Sequence, residues 1–211
     1  MSAVRLEVYA DILCPWCYIG ERRLAAALAG FADRDRVEVV RRSFELAPDA
    51  GTAPGPTAAE AMREWHGDRA AERAARIRAL GAAEGLDLRL DVARPVSTFD
   101  AHRLRHLATE RGVGDAMMER LLRAYHTEGL NIADRAVLTR LGVATGLDEP
   151  DVAATLSGDR YAAEVRADER RAAEHGVTGV PSLLIAGGPP FPGVQSPAAL
   201  RDHLNTALNH P

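Results

Sequence analysis

The chain has 211 residues, 46% of them hydrophobic, and a formal net charge of −4 with acids and bases interspersed. That is enough apolar material for one large domain or two small ones without a metal or disulfide to hold them, and the lack of a basic stripe argues against a nucleic-acid partner. All 26 basic residues are arginine, which excludes chemistry that requires a lysine amine: Schiff bases, pyridoxal phosphate enzymology and a Walker P-loop.

The N-terminal segment runs directly into Val4, Leu6 and Val8, which alternate with polar neighbours as a half-buried strand does. Nothing before them has the layout of a secretory signal, and no apolar run approaches the roughly 18 residues of a membrane span. A soluble, cytoplasmic protein without a membrane partner is expected. "PWCYIGERRLAAALAGF" then has helical composition and "VEVVRRSF" at 37–44 reads as a second strand. Strand, helix, strand predicts a parallel pair with a right-handed crossover. "APDAGTAPGP" is a turn-rich linker, after which Thr57 and Glu60 form a capping-box signature opening a helical stretch to about Ala83. Further helices are predicted at 99–111, 114–127, 134–145 and 159–175, with Leu121, Leu122, Tyr125, Leu138 and Leu141 in the core. From Gly176 the pattern returns to strands: "VPSLLIAGG" with "PPFPGVQ" as a partner across a turn. Ser196 then caps a terminal helix with Pro197 in its first position and Leu200, Leu204 and Leu208 on one face.

The only two cysteines, Cys14 and Cys17, stand in "DILCPWCYIG". Pro15 suits a first helical position, so Cys14 becomes the N-cap, its sulfur expected to accept from the Trp16 and Cys17 amides at the positive end of the helix dipole. Both effects favour the thiolate. Cys17, one turn in, lies near that sulfur and is more shielded, the geometry of an attacking and a resolving thiol. A structural disulfide is not expected in a reducing cytoplasm. Zinc is a competing reading, because a CxxC supplies two of four ligands. No second CxxC exists, and His102 and His106, four apart on a predicted helix, are the only suggestive histidine pair; no metal site is assigned within one chain. A four-thiolate site shared by two chains stays open. At the far end, "GVTGVPSLLI" puts Pro181 at the entrance to an apolar strand, where a cis peptide after Val180 would account for it.

These stretches resemble the DsbA-like thioredoxin superfamily, and within it the FrnE-like branch related to 2-hydroxychromene-2-carboxylate isomerase and kappa-class glutathione transferase. "DILCPWCYIGERRL", "TFDAHRL", "AYHTEGLNIAD" and "GVTGVPSLLI" carry the resemblance. It implies an α/β protein, a thioredoxin fold interrupted by an all-helical insertion domain, with 1–46 and 176–211 forming the discontinuous thioredoxin-like domain and 57–175 the insertion. It further implies Cys14 as nucleophile, Cys17 as resolving thiol, Pro181 as a cis-proline packed on the pair, and the Val180 backbone as receiver of a substrate strand. A homodimer is expected, with no bound cofactor and with glutathione or another thiol reductant as redox partner.

Other positions carry alternatives. Trp16 reads as a hydrophobic lip for substrate, and Asp11 as either a proton-transfer group for Cys17 or a solvated cap. Gly193 to Gln195 are expected to form a loop beside the active site, with Gln195 touching substrate. Arg103 and Arg105 would either bind an anion such as glutathione or sit on the surface. Two departures from the family pattern stand out: Ser182, where an aromatic residue is common, and His126, where Phe is expected. The expected activity is thiol-disulfide exchange with a protein or small-molecule disulfide, and the neutral Trp16 between the cysteines points to a reductant or isomerase rather than a net oxidant. A glutathione-dependent isomerase or transferase on the same fold is the alternative enzyme, although the serine that tends to replace Cys14 there favours redox chemistry here. A redox-inert, zinc-bridged interaction protein is the alternative outside enzymology.

Overall fold

The computed structural model describes residues 3–209. Strand β1 (Val4–Ala10), helix α1 (Pro15–Ala29) and strand β2 (Val37–Ser43) make the opening unit. β1 and β2 are parallel, in register from Val4 opposite Val37 to Ala10 opposite Ser43. Seven helices follow: α2 (Ala58–His66), α3 (Ala70–Ala83), α4 (Phe99–Glu110), α5 (Gly114–His126), α6 (Arg135–Ala144), α7 (Glu149–Ser157) and α8 (Ala162–Glu174). The chain then returns with β3 (Ser182–Ile185), antiparallel to β1, and the short β4 (Phe191–Pro192), antiparallel to β3, before the terminal helix α9 (Pro197–Asn209). The sheet order is β2-β1-β3-β4. The fold is the mixed α/β thioredoxin arrangement with helices inserted between β2 and β3. Among the described residues no helix is long and apolar enough to cross a membrane.

The alternation along β1 decides the layers. Val4, Leu6 and Val8 point to one face and bury against Leu24 and Leu28 of α1 and Leu200, Leu204 and Leu208 of α9. Tyr9 points to the other face, where it packs with Ala172 of α8 and Leu184 of β3. The expected segment 57–175 placed α8 with the inserted helices, whereas its apolar side rests on the sheet. The largest apolar cluster joins Ile12, Cys14, Cys17 and Tyr18 to Leu104, Leu121 and Leu138 of the inserted helices. The start of α1 is therefore cemented into the helical part of the molecule, and the dithiol lies at that junction.

Two helical features differ from the sequence expectation. The stretch from Thr57 to Ala83 is broken by a 3-10 turn at Gly67–Arg69, entered through Gly67 at φ +53°, a conformation that glycine adopts freely. The capping box that opens it is present, with Thr57 accepting from the Glu60 amide and the Glu60 carboxylate accepting from the Thr57 amide. Helix α7 went unforeseen, although Asp148 with Glu149 and Pro150 supplies an ordinary start signal.

Charges also bind α8 to the sheet. The Glu7 carboxylate, 3% exposed, accepts from Arg171 of α8 at 2.8 Å, from Arg42 of β2 at 3.3 Å and from the Tyr9 hydroxyl at 3.1 Å. Burial alone would raise its pKa; the Arg171 hydrogen bonds and the Arg42 charge outweigh that and hold it below the usual glutamate range. Asp168 of α8 pairs with Arg42 at 3.0 Å and accepts from the Ser43 amide at 2.9 Å. Because the folded Glu7 pKa is depressed, its stabilisation is present above the unfolded value of about 4.3 and is lost as pH falls through the folded value. Glu7→Gln should cost about 2 kcal/mol at pH 7, below the figure for fully buried pairs because Arg171 remains partly solvated. Denaturant midpoints at pH 7 and in acid should show that loss, with a shallower acid decline than in the wild type.

Candidate active site

Strand β1 ends at Ala10, and the turn Asp11 to Leu13 delivers the chain to α1. Cys14 takes the N-cap position in an extended conformation, with φ −88° and ψ 111°, and Pro15 fills the first helical position. Backbone bonds fix the turn: the Cys14 amide donates to the Asp11 carbonyl at 3.2 Å and the Cys17 amide to the Cys14 carbonyl at 3.0 Å. Both cysteines are free thiols, 4% and 1% exposed.

The Cys14 side chain departs from the expected cap geometry. Its sulfur accepts no hydrogen bond from the backbone amides in the first turn of α1. It is turned outward and donates to the Val180 carbonyl, with Sγ 3.5 Å from the oxygen. The Val180–Pro181 peptide is cis. Pro181 is held by the Gly193 loop: the Gly193 amide donates to the Pro181 carbonyl at 2.8 Å. A Cβ at Gly193 would lie 2.8 Å from the Pro181 Cβ, and one at Gly20 of α1 would lie 3.3 Å from the Gly193 carbonyl. The two glycines let helix, loop and cis-proline close on one another. Gln195 spends its side-chain amide within that loop, donating to the Pro192 carbonyl at 3.1 Å. The Ser182 hydroxyl turns back to the Gly179 carbonyl at 2.6 Å.

Asp11 is fully buried, which rules out the solvated reading. One carboxylate oxygen accepts from the Leu46 amide at 2.7 Å, and the other faces His102 Nε2 at 3.3 Å. The Cys17 thiol is pushed well above its usual range by burial first, then by its hydrogen bond to Cys14 and by the Cys14 charge; the Asp11 charge acts in the same direction. Cys17 thus keeps its proton.

His102 and His106 serve different partners: His106 Nε2 lies 3.2 Å from Asp168 and 3.1 Å from the Ser43 hydroxyl. Among the described residues, no group of three or more His, Cys, Asp or Glu side chains is arranged to hold a metal. Arg103 and Arg105 are neither on the surface nor at the dithiol. Arg103 closes the C-terminal end of α7, donating to the carbonyls of Thr155, of Gly158 at 2.6 Å and of Arg160 at 2.8 Å. Arg105 donates to the Ser43 hydroxyl at 3.1 Å. Arg103 was misplaced in the sequence reading because α7, whose carbonyls call for a cation, was not foreseen; Arg105 instead serves Ser43 and Asp168, partners on β2 and α8 that the local sequence does not reveal.

Beside Cys14 opens a cavity of about 380 Å³, lined by Trp16, Met62, Ile77, Leu90, Tyr125 and His126 among others. Trp16 forms part of its wall, as a lip would, with the guanidinium groups of Arg73 and Arg76 each 5.9 Å from its ring centre. Tyr125 was expected only as core and His126 only as a departure; their polar tips within an apolar stripe were the available signal.

A dithiol at the head of the crossover helix, facing a cis-proline that leads the antiparallel strand, defines thioredoxin-fold dithiol proteins. Residues 5–205 match the model of the DSBA-like thioredoxin domain, and the chain belongs to that family. It is similar to a probable DsbA oxidoreductase from Streptomyces coelicolor, with 38% identity, a TM-score of 0.92 and coverage of 99% of this chain and 91% of that one. It also resembles the cytosolic disulfide reductase DsbM from Pseudomonas aeruginosa in fold, with 23% identity, a TM-score of 0.69 and coverage of 98% and 100%. Protein YwbO of Bacillus subtilis is 28% identical over 98% of this chain and 96% of its own length.

Since the Asp11 charge raises the Cys17 pKa, Asp11→Asn in a Cys14→Ser background should move the alkylation profile of Cys17 to lower pH. Iodoacetamide trapping across a pH series reads that shift; an unchanged profile would remove Asp11 from the electrostatics of the site.

Proposed function

We propose that the protein is a thiol-disulfide oxidoreductase in which Cys14 attacks a disulfide and Cys17 resolves the resulting mixed disulfide. The observation that carries this reading is the pair of free thiols at the head of α1: one faces Val180 and a cavity, while the other is buried with its proton held. The Cys14 thiolate attacks one substrate sulfur and releases the other as a thiol. The negative charge that held the Cys17 proton is consumed in that step, so Cys17 becomes easier to ionise only once Cys14 is engaged. Asp11 takes up the Cys17 proton, with His102 holding its carboxylate in place. The Cys17 thiolate then displaces the second substrate thiol, leaving a disulfide between Cys14 and Cys17 and two electrons on the substrate. Two molecules of glutathione or another low-molecular-weight thiol restore the dithiol.

Pro15 sets the helix start, Trp16 walls the substrate side, and Pro181 with Val180 presents backbone beside Cys14. Gln195 acts through the shape of its loop, because its amide is engaged there. We assign the direction to reduction, in a reducing cytoplasm. DsbM, described as a cytosolic disulfide reductase and also solved with glutathione, supports that assignment by analogy of fold.

Equilibration of the purified protein in glutathione buffers should give a reversible two-electron couple nearer the thioredoxin value of about −270 mV than the DsbA value of about −120 mV. Cys14→Ser should abolish exchange, and Cys17→Ser should accumulate a mixed disulfide with glutathione visible by mass. A wild-type protein without a reversible couple would overturn the reading.

A further inference from the structure

The cavity beside Cys14 contains more recognition chemistry than an exchange reaction with an arbitrary disulfide requires. Its walls are apolar: Leu13 and Trp16 come from the dithiol turn, Met62 and Ile77 from α2 and α3, and Leu90 from the segment after them. Two polar tips are set into this surface. The Tyr125 hydroxyl and both ring nitrogens of His126 are buried and make no hydrogen bond. The Ile12 and Cys14 backbone comes close to the His126 ring without closing a bond of good geometry. Burial lowers the His126 pKa to about 4 and raises that of Tyr125, so at neutral pH both are uncharged hydrogen-bonding groups. Buried polar groups are nearly always partnered, and both residues belong to the lining of the cavity beside Cys14, with their polar atoms shielded from water.

The mouth has a sign. Arg73 lines it, and no Asp or Glu is among the described residues that do. Among the described residues Arg73 makes no ion pair, unlike Arg22, Arg23, Arg41 and Arg42. A space of about 380 Å³ between helices and dithiol has the size of a small-molecule site rather than a bed for a protein strand.

We propose that this cavity seats a small disulfide with an apolar body and an acidic group: the sulfur meets Cys14, the body hydrogen-bonds Tyr125 and His126, and the acid meets Arg73. The proposal rests on the thiol-disulfide reading and names its substrate class. The substrate disulfide takes two electrons and leaves as two thiols, the cysteines become a disulfide, and two molecules of a thiol of the glutathione class reduce them again.

Three probes separate the contributions in single-turnover mixing with the reduced wild-type protein: dithiobis-nitrobenzoate, aromatic and acidic; dithiodipyridine, aromatic and uncharged; and oxidised glutathione, acidic and polar. Each rate is divided by that of the same probe with free dithiothreitol, which removes intrinsic reactivity. The normalised rate for dithiobis-nitrobenzoate should exceed that for dithiodipyridine by up to about fivefold, the upper size of one exposed ion pair, and should also exceed that for oxidised glutathione, which lacks the apolar body. Arg73→Glu, at an exposed position that does not threaten folding, should erase the advantage of dithiobis-nitrobenzoate over dithiodipyridine. Tyr125→Phe should slow both aromatic probes by about three- to tenfold, the range for one hydrogen bond. Equal normalised rates, a preference for oxidised glutathione, or an Arg73→Glu protein with intact preference would overturn the proposal. If the wild type exchanges with none of the three while its thiols still alkylate, the thiol-disulfide reading itself falls instead.

Discussion

The burial of Asp11 is the constraint around which the molecule is arranged. A carboxylate taken out of water must be surrounded by donors, and those donors come from two remote parts of the chain, the exit from β2 and α4. Its backbone carbonyl receives the Cys14 amide, one side-chain oxygen receives the Leu46 amide, and the other faces His102 of α4. The end of β1, the dithiol turn, the exit from β2 and the inserted helices are thereby required to converge on one point. The apolar cluster that runs from Ile12 and Cys17 to Leu104 and Leu121 surrounds that convergence. A reactive pair placed there is held by sheet and insertion alike.

What was legible in the sequence was what local chemistry determines. Alternation in Val4, Leu6 and Val8 gave the first strand and its buried face, and Pro15 after Cys14 located the helix start. Pro181 at the entrance to an apolar strand pointed to the cis peptide that is present. The orientation of the Cys14 sulfur was not legible, because its partner is a carbonyl on a remote segment that competes with the local amides. Arg103 and Arg105 were misplaced for a related reason: arginine usually sits at the surface, and only tertiary packing reveals the buried acceptors they satisfy, helix-end carbonyls for Arg103 and Ser43 with Asp168 for Arg105. The break at Gly67 lay between two stretches of equally helical composition, so composition could not locate it. The cavity was invisible because its lining is pooled from many separate segments, among them the dithiol turn, α2, α3, α5 and the stretch at Leu90.

An all-arginine set of cations also has structural use here. A guanidinium presents several donors in one plane, and single side chains in this fold serve several acceptors at once. Arg42 bonds both Glu7 and Asp168, tying β2 to β1 and α8 together. Arg103 reaches Asp100 and three backbone carbonyls. An ammonium group would have to forsake some of these partners.

The contact between Cys14 and Val180 spans 166 residues of chain, with eight α-helices made in between. During synthesis the dithiol emerges 166 residues ahead of its cover, an interval on the order of ten seconds at ordinary elongation rates. For that time the thiols of the nascent chain are accessible to any disulfide in the surroundings. On the proposed reading, reactivity belongs to the segment around Cys14 and discrimination to the finished fold, so an unfinished copy would be a less selective reagent than the completed one.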